Sequence, residues 1–343
     1  MLRTALVGYG FGGRVIHAPL IHAAKDLVLD TIVSSRRDDI AAAWPGVKAA
    51  AFEDILADPA IDLVVIVTPN DTHASLAHAA LDTGKHVVVD KPFTASFAEA
   101  QALADHAARA GCTLCVFQNR RWDGHILTAK KLLAEGRLGT ISEVNLRYDR
   151  LRAVQPERWG DQDRPGSGIW FNLGSHLVDQ AVHLFGVPLT IQADIFAQRQ
   201  GALKDDYIKA ILGYDGFRVT VSACMIAPAP GPVIEMQGSR GAFVKYGQDT
   251  QEEMLKAGQA PDSAGFGVDK MAASFTSADG DAAGPDQALM CEPGRYLDFY
   301  ESIAPAIKNG APSPVPLAES LLVMRLLDLG VQSAAEGRRL AVA

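Results

Sequence analysis

Gly8-Tyr9-Gly10-Phe11-Gly12-Gly13 is the stretch on which the fold turns. It sets the G-x-G-x-x-G spacing directly after an apolar, β-branched run at 4–7 and at the head of a helical pattern over 15–24. In that context each glycine has a task. Gly8 permits a tight turn, Gly10 lets the backbone approach a pyrophosphate, and Gly13 lets the helix pack closely on the strand. Phe11 and Gly12 complete the turn, and N–H groups at the start of the helix face the phosphates. A dinucleotide is the expected ligand of residues 8–13.

Outward from this turn, strand-like and helix-like segments alternate. Strands are predicted at 27–34, 61–68, 86–89 and 113–117; the second of these is apolar without a break from 63 to 67, as a strand buried on both faces should be. Helices are predicted at 71–82 and 96–110, the latter with Ser96 as N-cap, Glu99 three residues on and Gly111 beyond its end. Repeated β-α-β units imply a doubly wound parallel sheet, an α/β Rossmann domain over 1–120. Beyond it, helices are expected at 125–136, 174–185 and 317–336, and strands at 143–149, 191–198, 207–214, 218–225, 233–237 and 242–245. Strands without intervening helices suggest a mainly antiparallel sheet, so 121–343 reads as an α+β domain for substrate binding and subunit contact. The Gly-, Ala-, Ser- and Asp-rich stretch 247–290 reads as a loop or insertion.

Composition narrows the partners. The 343 residues carry 32 Lys plus Arg against 40 Asp plus Glu, a formal charge of −8, which argues against nucleic acid or an anionic membrane surface. With 48% hydrophobic and 21% charged residues the chain is an ordinary globular mix, and no apolar run is long enough to cross a bilayer. The passage from Met1 into a strand and the Gly8 turn leaves no room for a secretion signal, so a cytoplasmic location is expected. Cys112 and Cys115 fall on a strand-like stretch, where residues three apart point to opposite faces; with Cys224 and Cys291 they read as buried thiols, and no metal site is expected.

The end of the second strand selects the coenzyme. An acidic residue there would bind the ribose hydroxyls and repel a 2′-phosphate. This chain has Ser34-Ser35-Arg36-Arg37, hydroxyls and guanidinium groups that suit a phosphate, while Asp30 lies inside the strand. NADP(H) is favoured over NAD(H).

Thr68-Pro69-Asn70-Asp71-Thr72-His73 and Asp90-Lys91-Pro92 both follow strands of the parallel sheet, at the ends where such sheets bind ligands. Together with the glycine turn, Asn119-Arg120-Arg121-Trp122-Asp123 and residues 166–186, they resemble the glucose–fructose oxidoreductase and inositol dehydrogenase family, Gfo/Idh/MocA. Within it the NADP-dependent scyllo-inositol dehydrogenases look most similar. The resemblance covers essentially the whole chain and implies a homodimeric or homotetrameric oxidoreductase. It adds Thr68, Pro69, Asn70, His73, Asp90 and Lys91 to the coenzyme contacts, beside Ser34, Ser35 and Arg36. The family's Glu-Lys-Pro is Asp90-Lys91-Pro92 here; by resemblance Lys91 touches both the nicotinamide ribose and the reacting hydroxyl, whose developing negative charge a fixed ammonium stabilises.

The family's Asp-x-x-x-His pair matches Asn172 and His176, a spacing that sets both on one helical face. His176 is expected to move the proton. Asn172 orients without supplying charge, and Asp179, three residues on, offers a partial replacement, while His183 reads as structural. Arg121, Trp122, Trp159 and Trp170 are candidate substrate contacts, because aromatic faces beside donors suit a polyol or sugar. The expected activity interconverts a secondary hydroxyl and a ketone. Asn172 keeps a second reading open, a dinucleotide- or sugar-sensing protein with weakened catalysis on the same fold.

Overall fold

Short apolar runs such as Leu63–Ile66 and His86–Val89 extend because β-branched side chains pack well on a pleated surface covered on both faces. In the computed structural model, which describes residues 1–152 and 164–342, six such strands pair in parallel. They are β1 (Leu2–Val7), β2 (Leu27–Val33), β3 (Lys48–Ala50), β4 (Leu63–Ile66), β5 (His86–Val89) and β6 (Leu114–Val116). Their order is β3-β2-β1-β4-β5-β6. The order reverses between β1 and β4, so the carboxyl ends of those two strands open the crevice where doubly wound sheets bind ligands.

The chain divides into two units. The first comprises Met1–Asn119, Gln251–Phe266 and Arg295–Leu321, and the second comprises Arg120–Thr250, Gly267–Gly294 and Leu322–Ala343. The leading segment of the first unit ends near residue 120, and two later segments rejoin that unit. One of them carries the Leu297–Asn309 helix, which has no counterpart in the sequence reading. In the first unit Leu6, Ile32, Val64, Val65, Val88 and Val89 are fully buried; each such side chain contributes roughly 1.5–3 kcal/mol. The Phe97–Ala110 helix starts as its sequence predicts. Ser96 Oγ accepts from the Glu99 N–H at 3.3 Å, and Gly111 ends the helix in the left-handed region.

The second unit is built on a nine-stranded sheet of the described residues, ordered β14-β13-β12-β11-β7-β10-β9-β8-β15. These are β7 (Ile141–Arg147), β8 (Thr190–Phe196), β9 (Tyr207–Gly213), β10 (Arg218–Cys224), β11 (Ile234–Gly238), β12 (Gly241–Lys245), β13 (Ala273–Asp279), β14 (Ala282–Leu289) and β15 (Leu340–Ala341). Pairing is antiparallel except between β7 and β10. Alternate residues such as Val219, Val221 and Ala223 are buried, and the Ser175–Phe185 helix packs on β7 and β10.

The loop expected at 247–290 is a correction. It holds a helix, Gln251–Lys256, and the hairpin β13-β14 at the sheet edge. The Gly280-Asp281 turn joins the two strands, with Gly280 at φ +56° and no positive φ at Asp281, a pattern that suits a type II′ hairpin. β14 escaped notice because it is mostly exposed and contains Gly284 and Pro285, which only an edge strand tolerates. All four cysteines are free thiols. No described helix is long and apolar enough to cross a membrane.

Candidate active site

In the first unit the glycine turn leaves β1 with Gly8 at φ +102°, a conformation that side chains rarely adopt, and a Cβ there would run into the Val67 carbonyl beyond β4. A Cβ on Gly13 would strike the Gly8 carbonyl, whereas one on Gly10 would meet nothing within 4 Å. Two glycines thus allow the close packing, and the third keeps an open approach to the backbone. That combination fits a pyrophosphate laid against the turn. The helix after it begins as a π-helix, Gly12–His17, and continues as Ala18–Ala23. Phe11 is exposed, with the Lys256 ammonium 5.5 Å from its ring centre. Lys256 belongs to one of the segments that rejoin this unit late in the chain, so local sequence reading had no means of placing it there.

At the end of β2 Ser34 is half-buried, while Ser35, Arg36 and Arg37 are exposed. The Arg36 N–H donates to Ser34 Oγ at 3.2 Å. Asp30, the strand's acid, takes two hydrogen bonds from Arg3 (3.1 and 2.8 Å) and one from the Thr31 hydroxyl at 2.7 Å. Burial pushes its carboxyl up, but Thr31, Arg3 and Lys48 together hold it below the usual range. Its oxygens are thus engaged by Arg3 and Thr31.

The β4 and β5 loops lie beside this turn. Thr68 and Thr72 share a hydroxyl hydrogen bond of 2.6 Å, Pro69 is exposed, and Asn70 opens a short 3₁₀ turn. His73, expected at the coenzyme, is instead a buried strut. Its Nδ1 lies 3.0 Å from the Pro92 carbonyl and its Nε2 2.9 Å from the Thr68 carbonyl, so the ring sits between the two loops and its one N–H donates to one of these carbonyls. Asp90 is likewise turned to its own loop, accepting from the Lys91 N–H at 2.8 Å. Burial alone would raise the Asp90 carboxyl, yet the facing His17, the Lys91 charge and His73 hold it below the usual carboxylate range. Lys91 is half-buried at the end of this turn.

The second unit holds the other candidates. Asn172 lies in a π-helical turn, Trp170–Gly174, and His176 in the α-helix that continues it. Asn172 is exposed and His176 buried. The charge expected from Asp179 has another use. Arg121 grips both its oxygens, Nε at 2.9 Å and Nη2 at 2.6 Å, and both side chains are 2% exposed. Arg121 is therefore committed to a buried ion pair with Asp179. Trp170 is packed in the core: it is 1% exposed, and its Nε1 donates to the Leu327 carbonyl at 2.9 Å. Trp122 is half-buried, and Trp159 lies outside the described residues.

Beside His176 the structure sets Tyr148, which no motif reveals, and around Tyr148 it gathers motif residues to which the sequence alone assigns no role. The Tyr148 ring stands edge-on to His176 at 6.5 Å, and its hydroxyl accepts from Gln180 at 2.9 Å. Arg120 lies 5.2 Å over the Tyr148 ring and bonds Asp123 at 3.4 Å. Burial pushes the Tyr148 hydroxyl far above its ordinary range, so it remains a neutral phenol. Tyr148 directly follows β7, and its sequence neighbourhood carries no motif that would have singled it out.

Two histidines of this unit are held neutral. Burial, with Arg120 and Lys245 nearby, lowers His125 to about 4 against the opposing pull of Asp249 and Asp269. Burial, Arg121 and Lys130 lower His183 to about 3. An unfolded chain takes up these protons near pH 6.5 and the native protein does not, so stability falls as the pH drops from 6.5 toward 4. Asp205, raised by burial to about 6, opposes the trend over part of that range, because its contribution is lost as the pH rises through 6. Thermal melts should show a midpoint several degrees lower at pH 4.5 than at pH 7. His125→Gln should flatten the decline; an unchanged slope would contradict a neutral buried His125.

Two family models cover this chain: an oxidoreductase-family NAD-binding Rossmann fold over residues 2–118, and the C-terminal α/β domain of the same family over 130–342. The chain belongs to the Gfo/Idh/MocA oxidoreductase family. It is 42% identical to the uncharacterized oxidoreductase YdgJ of Escherichia coli over 100% of this chain and 99% of the relative. It is 35% identical to the scyllo-inositol 2-dehydrogenase (NADP(+)) IolW of Bacillus subtilis, over 98% of this chain and 95% of that protein. The solved structure of the Bacillus subtilis oxidoreductase YvaA matches with a TM-score of 0.96 at 34% identity, covering 99% of this chain and 98% of that one. The protein is thus an enzyme, an oxidoreductase with a nicotinamide-dinucleotide-binding domain.

Proposed function

We propose that this family member uses NADP(H) to interconvert a secondary hydroxyl and a ketone on a cyclic polyol or sugar of the scyllo-inositol kind. The observation that carries the coenzyme choice is the end of β2. Its one strand acid, Asp30, is locked onto Arg3, and the exposed residues beyond are Ser35, Arg36 and Arg37. A guanidinium there takes a 2′-phosphate in bidentate fashion and has no matching partner on a bare ribose. The NADP(+)-named relative IolW supports both the coenzyme and the polyol class.

A bound nicotinamide supplies or accepts the hydride. The glycine turn at residues 8–13 holds the pyrophosphate. The Lys91 ammonium steadies the substrate oxygen as it gains alkoxide character, and His176 gives up or takes the hydroxyl proton. A cytoplasmic homo-oligomer is part of the same reading.

Initial rates with a panel of inososes and keto-sugars, NADPH and NADH side by side, test it. The expectation is faster turnover with NADPH and a loss of roughly tenfold or more of that preference in Arg36→Ala, the worth of one charge-assisted hydrogen bond. Faster turnover with NADH, or an unchanged preference in the variant, would contradict the coenzyme assignment. NADPH binding without oxidation by any panel member would favour the sensing reading instead.

A further inference from the structure

His17 ends the π-helical turn that begins at Gly12, and it is 1% exposed. Its Nδ1 lies 2.6 Å from the Tyr300 hydroxyl, a residue 283 positions away in sequence but in the same unit. Its Nε2 faces Asp90 Oδ1 at 3.6 Å. The ring is boxed by aromatic neighbours: Phe117 at 4.3 Å and Tyr300 at 6.1 Å, with Phe299 packed against both. On its other side Asp90 receives the Lys91 N–H, and its Oδ2 comes within 3.7 Å of where a Gly12 Cβ would stand. One chain of contacts, buried at Tyr300 and His17 and half-buried at Asp90, therefore runs to the Lys91 backbone, touching the glycine turn on the way.

The chemistry gives this chain a direction. Asp90 is a carboxylate and can only accept, so the ring nitrogen that faces it carries the proton. Nδ1 is then the lone pair and accepts from Tyr300, whose phenol is held protonated well above its ordinary range by burial and the Asp90 charge. Tyr300 thus fixes the Nε2–H tautomer, and that tautomer presents a donor to Asp90. A shortened acid at the family's glutamate position gains from such a grip, since the Asp90 Oδ1 that takes the Lys91 N–H is also the oxygen that faces His17.

We propose that His17 is a positioning residue for the reaction: held in one tautomer by Tyr300, it fixes the Asp90 carboxylate and through it the placement of Lys91. This rests on the reading of Lys91 as the group that steadies the substrate oxygen. It assigns to His17 no contact with coenzyme or substrate.

The test compares wild type with His17→Leu, His17→Gln, Tyr300→Phe and Lys91→Ala, reading kcat with the best ketone substrate, NADPH affinity by calorimetry, and the His17 tautomer by nitrogen-15 NMR of the imidazole. A misplaced reacting group costs up to about a hundredfold, so His17→Leu should lower kcat on that order with NADPH affinity within twofold. His17→Gln, which keeps an amide donor toward Asp90, should recover most of the loss. Tyr300→Phe should lower kcat about tenfold, the scale of one hydrogen bond, and abolish the single Nε2–H tautomer seen in the wild type. If His17→Leu does not fold, the Gln and Tyr300→Phe variants decide. A wild-type Nδ1–H tautomer, or unchanged kcat in the His17 and Tyr300 variants while Lys91→Ala is inactive, would overturn the role of His17 alone. Unchanged kcat in Lys91→Ala would instead remove the reading on which it rests.

Discussion

Lys91→Ala should lower turnover about a thousandfold while leaving NADPH affinity within a few-fold of wild type. A preorganised charge aimed at a developing oxyanion is worth roughly 10²–10³ in kcat when removed, and an ammonium carries a full charge where most such donors carry a partial one. On the proposed reading, ground-state binding of the coenzyme rests mainly on other residues, the glycine turn and the Ser34–Arg36 end of β2, so it should be nearly unaffected. The Lys91 backbone is anchored independently of its side chain, through its N–H to Asp90, which makes collapse of the loop in the variant unexpected. Steady-state kinetics beside a calorimetric titration separate the two quantities. A parallel loss of affinity and rate would make Lys91 a coenzyme ligand only.

Asp179→Ala should cost about 3–5 kcal/mol of stability, the usual penalty for breaking a buried ion pair by removing one partner. Its carboxylate is gripped by Arg121 on both oxygens, and both side chains are 2% exposed. The loss is large against the 5–15 kcal/mol that most domains possess, so poor soluble yield and a much lower melting temperature are expected. Replacing the pair by Arg121→Met with Asp179→Leu should be far milder than the single change, because no charge is then left behind in the core. Equal destabilisation by the single and double variants would show that packing and not charge governs this site.

The fate of Asp179 shows where sequence reading stops. Its spacing from His176 is visible in the sequence, but its partner Arg121 lies 58 positions away and is set by tertiary packing. The first unit was legible for a physical reason: β4 and β5 are short, uniformly apolar runs, and the Phe97–Ala110 helix carries its own cap and stop signals. β14 was not, because an exposed edge strand has no hydrophobic period to display. The π-helical windings at Gly12–His17 and Trp170–Gly174 leave no mark in a pattern read at the α-helical period. At the candidate site the glycine turn and Asp90-Lys91-Pro92 declare themselves as contiguous motifs. Tyr300, Lys256 and Tyr148 do not, since each reaches its place from a distant segment or from a strand end without a signature. Single tryptophans were ambiguous for a simpler reason: a core indole such as Trp170, satisfied by one backbone carbonyl, looks the same in sequence as one facing a sugar.

The central claim is that hydride passes between NADPH held at the glycine turn and a ring carbon of a polyol-derived ketone. Single-turnover reaction of the enzyme with NADPH deuterated at the transferable C4 position, followed by mass analysis of the product, tests it most directly. The account predicts one deuterium on the new carbinol carbon for each NADPH oxidised, with Lys91→Ala slow in the same assay. NADPH bound at one site per chain, yet no deuterium transferred to any inosose or keto-sugar, would contradict it.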